Sequence, residues 1–176
     1  MTPFTRIAQR SHADSWINGM IAIGSAMFVF GLAVSAAFAP EWRVLHLLQA
    51  FIYVAVIMLT RRKNPAGFGA GLAVAMFWNV LLLTTAGQDI LQELRTLALT
   101  GRPQRPDLLL SLFAGCGHLL IIVACIIGLG RIRPTARQWA TFGIGSVVAL
   151  TYLFAIVFIF GPPQAVALMR HTLGLK

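Results

Sequence analysis

The chain has 176 residues, of which 58% are hydrophobic and only 11% are charged. A soluble domain carries roughly a quarter of its residues as charged side chains, so this composition excludes an ordinary water-soluble domain and predicts an integral membrane protein. The net charge of +9 does not indicate nucleic-acid binding, because the cations lie in small clusters at the ends of apolar runs instead of forming one basic face.

Five apolar runs are long enough to cross a membrane, since a hydrocarbon core of ~30 Å requires about 20 helical residues. We predict an all-α integral membrane protein, a bundle of five transmembrane helices within a single domain over residues 1–176. The predicted spans cover approximately residues 16–39, 42–60, 66–86, 108–130 and 139–160. Trp16, Trp42 and Trp139 lie at span ends, where an indole ring can contact lipid and water together.

The first run must be distinguished from a cleaved signal peptide, because Ala37 and Ala39 form a small-x-small pattern at its end. The run is longer than the ~7–15 residues of a signal-peptide core, and Pro40 follows the pattern directly. We therefore expect the first run to be retained as a transmembrane helix.

The boundaries of the fifth run carry clear local signals. Thr135 is followed three residues later by Gln138, which predicts a capping box at the start of a helix. The sequence Gly161-Pro162-Pro163 predicts the end of the same helix, because proline cannot continue it.

Clusters of basic residues predict the orientation of the bundle. The predicted topology anchors are Arg61, Arg62, Lys63, Arg131, Arg133 and Arg137. They lie in short segments beside the spans, where cations favour the cytoplasmic side. We expect a multi-pass protein of a bacterial inner membrane, with its N-terminus in the cytoplasm and its C-terminus outside. An anionic-lipid site at Arg61–Lys63 is an alternative interpretation, although such sites usually contain about four to eight cations.

Small residues recur on single helix faces. Gly67 and Gly71 are four residues apart, as are Gly31 and Ser35, so each pair lies on one face of its helix. This spacing allows two membrane helices to approach closely. It favours tight packing within the chain, and a homo-oligomer is the alternative.

Two segments outside the predicted spans have the periodicity of amphipathic helices, about 88–100 and 163–174. In the first segment, Ile90, Leu94 and Leu97 share a face, and Asp89 and Glu93 belong to the solvated remainder. The segment either lies in the membrane interface or extends the third span. Both segments are expected on the outer face, where they are surface helices or, alternatively, a lid or docking surface.

Five residues form a predicted polar and aromatic belt in the outer half of the bundle. They are His118, Asn79, Tyr53, Trp78 and Tyr152. At ~1.5 Å of rise per residue, His118 and Tyr53 both lie roughly 15 Å below the outer surface. Asn79 can bond His118 if the third and fourth spans are neighbours. The belt either holds the helices together or surrounds a small-ligand cavity that opens outward, with Trp78 and Trp42 among its walls.

Residues typical of catalysis and cofactor binding are scarce. The predicted spans contain no Asp, Glu or Lys and only Arg43, at one end, which argues against proton pumps, voltage sensors and most ion-coupled carriers. No CxxC, GxSxG or HExxH motif is present. His46 and His118 differ in depth by roughly 9–10 Å, which suits bis-histidine haem ligation poorly. We therefore predict no cofactor and no metal.

The sequence thus favours a non-enzymatic membrane component that acts through helix packing or its outer segments, with membrane lipid, a partner protein or a second copy. The alternative is a small-molecule carrier or channel that uses the belt around His118, Asn79 and Tyr53. A membrane-embedded enzyme is the third possibility. No nucleic-acid partner is expected.

Overall fold

The computed structural model describes residues 3–132 and 134–174, with side chains from Ser15 onward. The described residues form α-helices joined by short turns. The helices are α1 (Pro3–Phe38), α2 (Arg43–Arg61), α3 (Pro65–Thr100), α4 (Pro106–Ile132), α5 (Ala136–Phe160) and α6 (Pro163–Thr172). The first five are long and apolar enough to cross a membrane. The predictions of an all-helical chain and of five candidate spans are therefore confirmed.

The turn between α2 and α3 follows from the sequence Arg62-Lys63-Asn64-Pro65. Lys63 adopts a positive φ of 54°, which reverses the chain direction. The Asn64 side chain then accepts a hydrogen bond of 3.0 Å from the backbone N–H of Ala66, as an N-cap residue does. Pro65 begins α3, where its missing N–H has no cost.

The boundaries of α5 agree with the sequence signals. The Thr135 hydroxyl accepts from the backbone N–H of Gln138 at 3.4 Å, and the Gln138 side chain accepts from the Thr135 N–H at 2.9 Å, so the predicted capping box is confirmed. The helix ends at Phe160, immediately before Gly161-Pro162-Pro163.

The antiparallel course of the helices gives the bundle two different ends. The basic end contains the α2–α3 and α4–α5 turns, with the anchors Arg61, Arg62, Lys63, Arg131 and Arg137. The sixth predicted anchor, Arg133, lies outside the described residues. The far end contains the α1–α2 turn, the α3–α4 loop and α6.

Glycines bring the helices of the basic half into close contact. A Cβ added to Gly67 of α3 would lie 2.6 Å from Leu59 Cβ of α2, and a Cβ on Gly145 of α5 would overlap the Ala66 backbone of α3. Gly71 touches two other helices, because a Cβ there would lie 3.0 Å from Val56 of α2 and 3.1 Å from Cys125 Sγ of α4. Small residues thus hold α2, α4 and α5 against α3.

The third helix is longer than the sequence prediction of its span. Its 36 residues extend about 54 Å, so the segment 88–100 is the far-end extension of α3 and not a separate short helix. Gly87 lies in an open position on this helix, with no atom within 4 Å of an added Cβ. The helical spacing of apolar residues continues through Gly87, and a helix tolerates a single glycine. The predicted span 66–86 and the segment 88–100 therefore form one helix.

The α3–α4 loop folds back along the α3 extension. Gly101 ends α3 in a left-handed conformation with φ of 68°, which glycine adopts readily. The Glu93 carboxylate accepts a hydrogen bond of 2.7 Å from the backbone N–H of Gln104. Glu93 is only 4% exposed. The prediction that it belongs to the solvated face is therefore wrong, because the returning loop covers it.

The last helix, α6, occupies residues Pro163–Thr172 within the predicted segment 163–174. Ala165 and Met169, four residues apart, are buried against the bundle, and Arg170 and His171 are exposed. The helix therefore packs through Ala165 and Met169 on one face, whereas Leu173, just after the helix, is 42% exposed.

Candidate functional site

A cavity of about 800 Å³ opens at the far end of the bundle. Its walls belong to α1, α2, α3 and α4, and Leu168 of α6 also contributes to its lining. A volume of roughly 300–1,000 Å³ is typical of sites that enclose small organic molecules.

Small residues form part of the cavity lining in the far halves of α1 and α4. Gly31 and Ser35 face it from α1, and Ala114 and Gly115 face it from α4. At the middle of the bundle the same two helices touch directly, since a Cβ on Gly117 would lie 2.6 Å from the Gly24 carbonyl oxygen. The two helices remain close in the far half as well, since a Cβ on Gly31 would lie 3.3 Å from Ala114 Cβ.

Aromatic rings form the deep part of the cavity. The Phe28 ring centroid lies 4.1 Å from that of His118 and 6.1 Å from that of Trp78, and all three residues line the cavity. Tyr53 lies behind this layer, with its ring centroid 4.8 Å from Phe28. The base of the cavity is therefore apolar and formed by flat rings, one of which is an imidazole.

The imidazole of His118 is fixed by a hydrogen bond. Tyr53 Oη lies 2.7 Å from His118 Nε2, and both side chains are buried. The phenol has this one partner among the described residues, so it satisfies its own hydrogen by donating to Nε2. A charged imidazolium would be costly in such apolar surroundings, and the neutral ring therefore carries its proton on Nδ1.

A second polar group lies higher on the α1–α2 side of the cavity. His46 Nδ1 donates to Gln49 Oε1 at 3.0 Å, because an amide oxygen can only accept. His46 Nε2 then accepts from the Ser35 hydroxyl at 3.1 Å. Trp42 stacks on the His46 ring at 5.6 Å between centroids. One tautomer of His46 thus satisfies both neighbours, and all four residues line the cavity.

The mouth of the cavity contains the one acidic residue of its lining, Asp107. The Arg105 guanidinium donates to both carboxylate oxygens of Asp107, at 3.0 and 2.7 Å. The two side chains are 57% and 61% exposed, so the pair is open to solvent. Because no lysine or arginine lines the described cavity, its interior is essentially uncharged.

Two hydrogen-bond donors near the cavity have no partner among the described residues. They are the indole Nε1 of Trp78, a residue of the cavity lining, and the amide Nδ2 of Asn79, and both atoms are themselves buried. Asn79 lies beside the wall, since a Cβ on Gly115 would be 3.2 Å from Asn79 Oδ1. Unpaired buried donors are uncommon in folded proteins and call for an explanation.

The residues of the sequence-predicted belt have different positions. His118 and Trp78 line the cavity, Tyr53 supports His118 from behind, and Asn79 lies behind Gly115. The hydrogen bond to His118 comes from Tyr53 and not from Asn79. Tyr152 lies elsewhere: its hydroxyl donates to the Leu48 carbonyl at 3.1 Å and joins α5 to α2.

The four predicted packing residues divide between the two halves of the bundle. Gly31 and Ser35 line the cavity, and a Cβ on Gly31 would lie 3.3 Å from Ala114 Cβ of α4. Gly67 and Gly71 lie in the basic half, where they remove space between helices. Glycines therefore allow close helix contact in both halves, and in the far half they also line the cavity.

Gln49 and Phe28 are among the lining residues that the sequence-based candidates did not include. Gln49 is three residues after His46, and the spacing of two polar groups on one face of an apolar helix could have identified it. Phe28 carries no such signal, because phenylalanine on a membrane helix is most often only a packing residue.

The site lacks the features of a metal or redox centre within the described residues. No group of three or more His, Cys, Asp or Glu side chains is close enough to hold a metal ion there. Cys116 is exposed, and Cys125 is buried between helices in the basic half. The arrangement is suited to noncovalent binding of a small molecule.

Comparison of the chain with known protein families, with curated proteins and with solved structures finds no match in any of the three.

Proposed function

We propose that this multi-pass membrane protein binds a neutral, largely apolar small molecule in the far-end cavity. The cavity itself is the observation that supports this proposal most strongly. It has the volume of a ligand site, and polar groups occur at discrete positions on an apolar lining. A close-packed far half would stabilise the bundle more than an open one does, so the cavity favours a role in binding.

The basic anchors support an orientation for this site. Cations beside the spans favour the cytoplasmic side, so the basic end is proposed to lie in the cytoplasm of a bacterial cell and the cavity to open on the outer side. A ligand that dissolves in lipid could then reach the cavity from the outer leaflet. Binding could serve a carrier or a sensor equally well.

Two neighbouring leucines of α3 provide a matched test of the proposal. Leu82 lines the cavity, whereas Leu83 is 69% exposed on the outside of the bundle. Leu82→Trp should fill part of the cavity, and Leu83→Trp should place the same bulk in lipid. The measurement is saturable binding of a neutral naphthalene fluorophore to each protein in lipid nanodiscs.

We expect Leu82→Trp to raise the Kd of the fluorophore about tenfold or more, since loss of about 1.4 kcal/mol of contact has that effect. Leu83→Trp should leave the Kd nearly unchanged. Equal binding to both variants and to the native chain would mean that the fluorophore does not enter the cavity, and the proposal would fail.

A second candidate function is interaction with a partner protein through the α3 extension. It is favoured by exposed leucines on that segment, Leu91 at 53% and Leu99 at 86%. Native mass spectrometry after gentle extraction distinguishes the candidates, because a stoichiometric second protein would favour the partner and a bound small molecule would favour the cavity.

A further inference from the structure

We infer that the far-end cavity selects a lipid-soluble alcohol, which donates its hydroxyl hydrogen to serine and threonine oxygens and rests its hydrocarbon body on the aromatic base. This inference rests on the proposed ligand-binding function and specifies the chemical class of the ligand. It is supported by three hydroxyl side chains of the described lining, Ser35, Thr85 and Ser111.

The three hydroxyl residues come from three helices and lie at about one level of the bundle. A Cβ on Gly31 of α1 would be 3.3 Å from Ala114 of α4, and a Cβ on Gly115 of α4 would be 2.9 Å from Leu82 of α3. These contacts therefore mark one height on α1, α3 and α4. Each hydroxyl residue lies three or four positions, about one helical turn, nearer the far end than its own helix's contact.

Two of these hydroxyls already use their own hydrogen within their helix. Thr85 Oγ1 donates to the Leu81 carbonyl at 2.7 Å. Ser111 Oγ donates to the Asp107 backbone carbonyl at 2.9 Å. A hydroxyl that donates in this way has acceptor lone pairs left to offer.

Ser35 reaches the same state through the second helix. His46 carries its proton on Nδ1, which donates to the Gln49 amide oxygen at 3.0 Å. His46 Nε2 therefore accepts the hydrogen of the Ser35 hydroxyl, at 3.1 Å. The Ser35 oxygen is thus also left as an acceptor.

The hydrogen-bond donors near the cavity are more enclosed than these three residues. Trp78 Nε1 and Asn79 Nδ2 are buried atoms, and His118 and Gln49 are 1% and 2% exposed. The three hydroxyl residues are half-buried or exposed. A ligand at their level therefore meets mainly acceptors, and the ligand must supply the hydrogen.

The charges around the cavity favour a neutral donor. A cationic ligand would depend on the Asp107 carboxylate, but both of its oxygens already accept from Arg105, at 3.0 and 2.7 Å. An anionic ligand would need a cation, and no lysine or arginine is among the described lining residues. The O–H group of an alcohol supplies the hydrogen without a charge.

The aromatic base provides the surface for the hydrocarbon body. Phe28 is seven residues before Ser35 on α1, which places it about 10 Å deeper. Its ring centroid lies 4.1 Å from that of His118 and 6.1 Å from that of Trp78. A compact fused-ring hydrocarbon suits a space of this depth between the base and the hydroxyl residues.

The experiment is competition against the bound fluorophore in nanodiscs with three unlabelled compounds that share one hydrocarbon body. They are a decalin alcohol, its methyl ether and the corresponding primary amine, which is cationic at neutral pH. The ether keeps an acceptor oxygen but has no hydrogen to donate. Competition is expressed per mole of compound in the lipid, so that differences in partitioning do not enter.

Two adjacent threonines of α3 provide matched variants. Thr84 Oγ1 donates to the Val80 carbonyl at 2.8 Å, much as Thr85 Oγ1 donates to the Leu81 carbonyl. Thr85 lines the cavity, whereas Thr84 is not among its lining residues. Thr85→Val and Thr84→Val therefore both remove a bond within the helix, and Thr85→Val also removes an acceptor from the cavity. Ser111→Ala removes a second acceptor, on α4.

We expect the alcohol to displace the fluorophore at a concentration about three- to tenfold below that of its methyl ether, the effect of one hydrogen bond. Thr85→Val and Ser111→Ala should each reduce this ratio about twofold or more. Thr84→Val should leave the ratio as it is in the native chain. A purely structural effect of a variant would change competition by the alcohol and by the ether together.

Three outcomes would overturn the inference. They are equal competition by the alcohol and the ether, stronger competition by the amine, or a ratio that Thr85→Val and Ser111→Ala lower no more than Thr84→Val does. If none of the three compounds competes while Leu82→Trp still blocks the fluorophore, the cavity binds ligands but the assigned class is wrong. If Leu82→Trp has no effect, the proposed function itself fails.

Discussion

The basic and far halves of this bundle both have glycines at helix contacts, but they differ in what surrounds those contacts. In the basic half, Gly67, Gly71 and Gly145 allow helices to touch. In the far half, a Cβ added to Gly31 would lie 3.3 Å from Ala114 and a Cβ added to Gly115 would lie 2.9 Å from Leu82, so these glycines are also at helix contacts. They differ from the glycines of the basic half in that they also line a cavity with aromatic and polar side chains, which is the feature that the proposed binding function requires.

The largest expected effect comes from the contact that separates the two halves. Gly117→Ala would place a Cβ 2.6 Å from the Gly24 carbonyl oxygen, and overpacking of this kind costs about 1–3 kcal/mol. Gly143→Ala is the control, since nothing lies within 4 Å of a Cβ there. Replacing a glycine within a helix by alanine also stabilises that helix by about 1 kcal/mol, which is the one change expected in Gly143→Ala.

Unfolding in mixed detergent micelles measures this prediction. Gly117→Ala should lower the free energy of unfolding, and Gly143→Ala should leave it unchanged or raise it. A Gly117→Ala protein as stable as the native chain would show that α1 and α4 are not in close contact at this level.

An intermediate effect is expected from the hydrogen bond below the cavity. Tyr53→Phe removes the only donor to the buried His118 Nε2 and should cost about 1–2 kcal/mol of stability. Tyr152→Phe removes a bond to a helical carbonyl and should cost about 0.6 kcal/mol, the average for hydrogen bonds between membrane helices. The same unfolding assay compares them, and a larger loss for Tyr152→Phe would contradict this ranking.

The smallest effect is expected at the loop that closes the far end. Glu93→Ala removes the acceptor of the Gln104 N–H and should weaken the loop by about 0.5–1.5 kcal/mol. Hydrogen exchange of the Gln104 amide measures the change directly. Glu93→Gln retains an acceptor oxygen and should retain most of the protection. If the exchange rate of the Gln104 amide is the same in Glu93→Ala as in the native chain, Glu93 does not stabilise this loop.

Much of the fold was predictable because membrane helices depend on local properties. Run length identified the five candidate spans, and Thr135 with Gln138 identified one helix start. The length of α3 was not determined by its sequence, since helical periodicity continues through Gly87 and is compatible with one helix or two. The burial of Glu93 depends on a loop eleven residues away, which no local pattern reveals.

The candidate site was only partly predictable, for a related reason. Depth along a helix placed His118 and Tyr53 at the same level, but depth does not indicate which helices are neighbours. The pairing of α2 with α4 at this level, and of Ser35 with His46 and Gln49, depends on how the helices are arranged around the cavity. Tyr152 has a similar depth and yet bonds the Leu48 carbonyl outside the site.

Native mass spectrometry of the protein extracted from its own membrane tests the central claim most directly. We expect the native chain and Leu83→Trp to retain a small neutral compound, and Leu82→Trp to have lost it. Retention of the same compound by Leu82→Trp, or its absence from all three proteins, would contradict the conclusion that the far-end cavity is a ligand site.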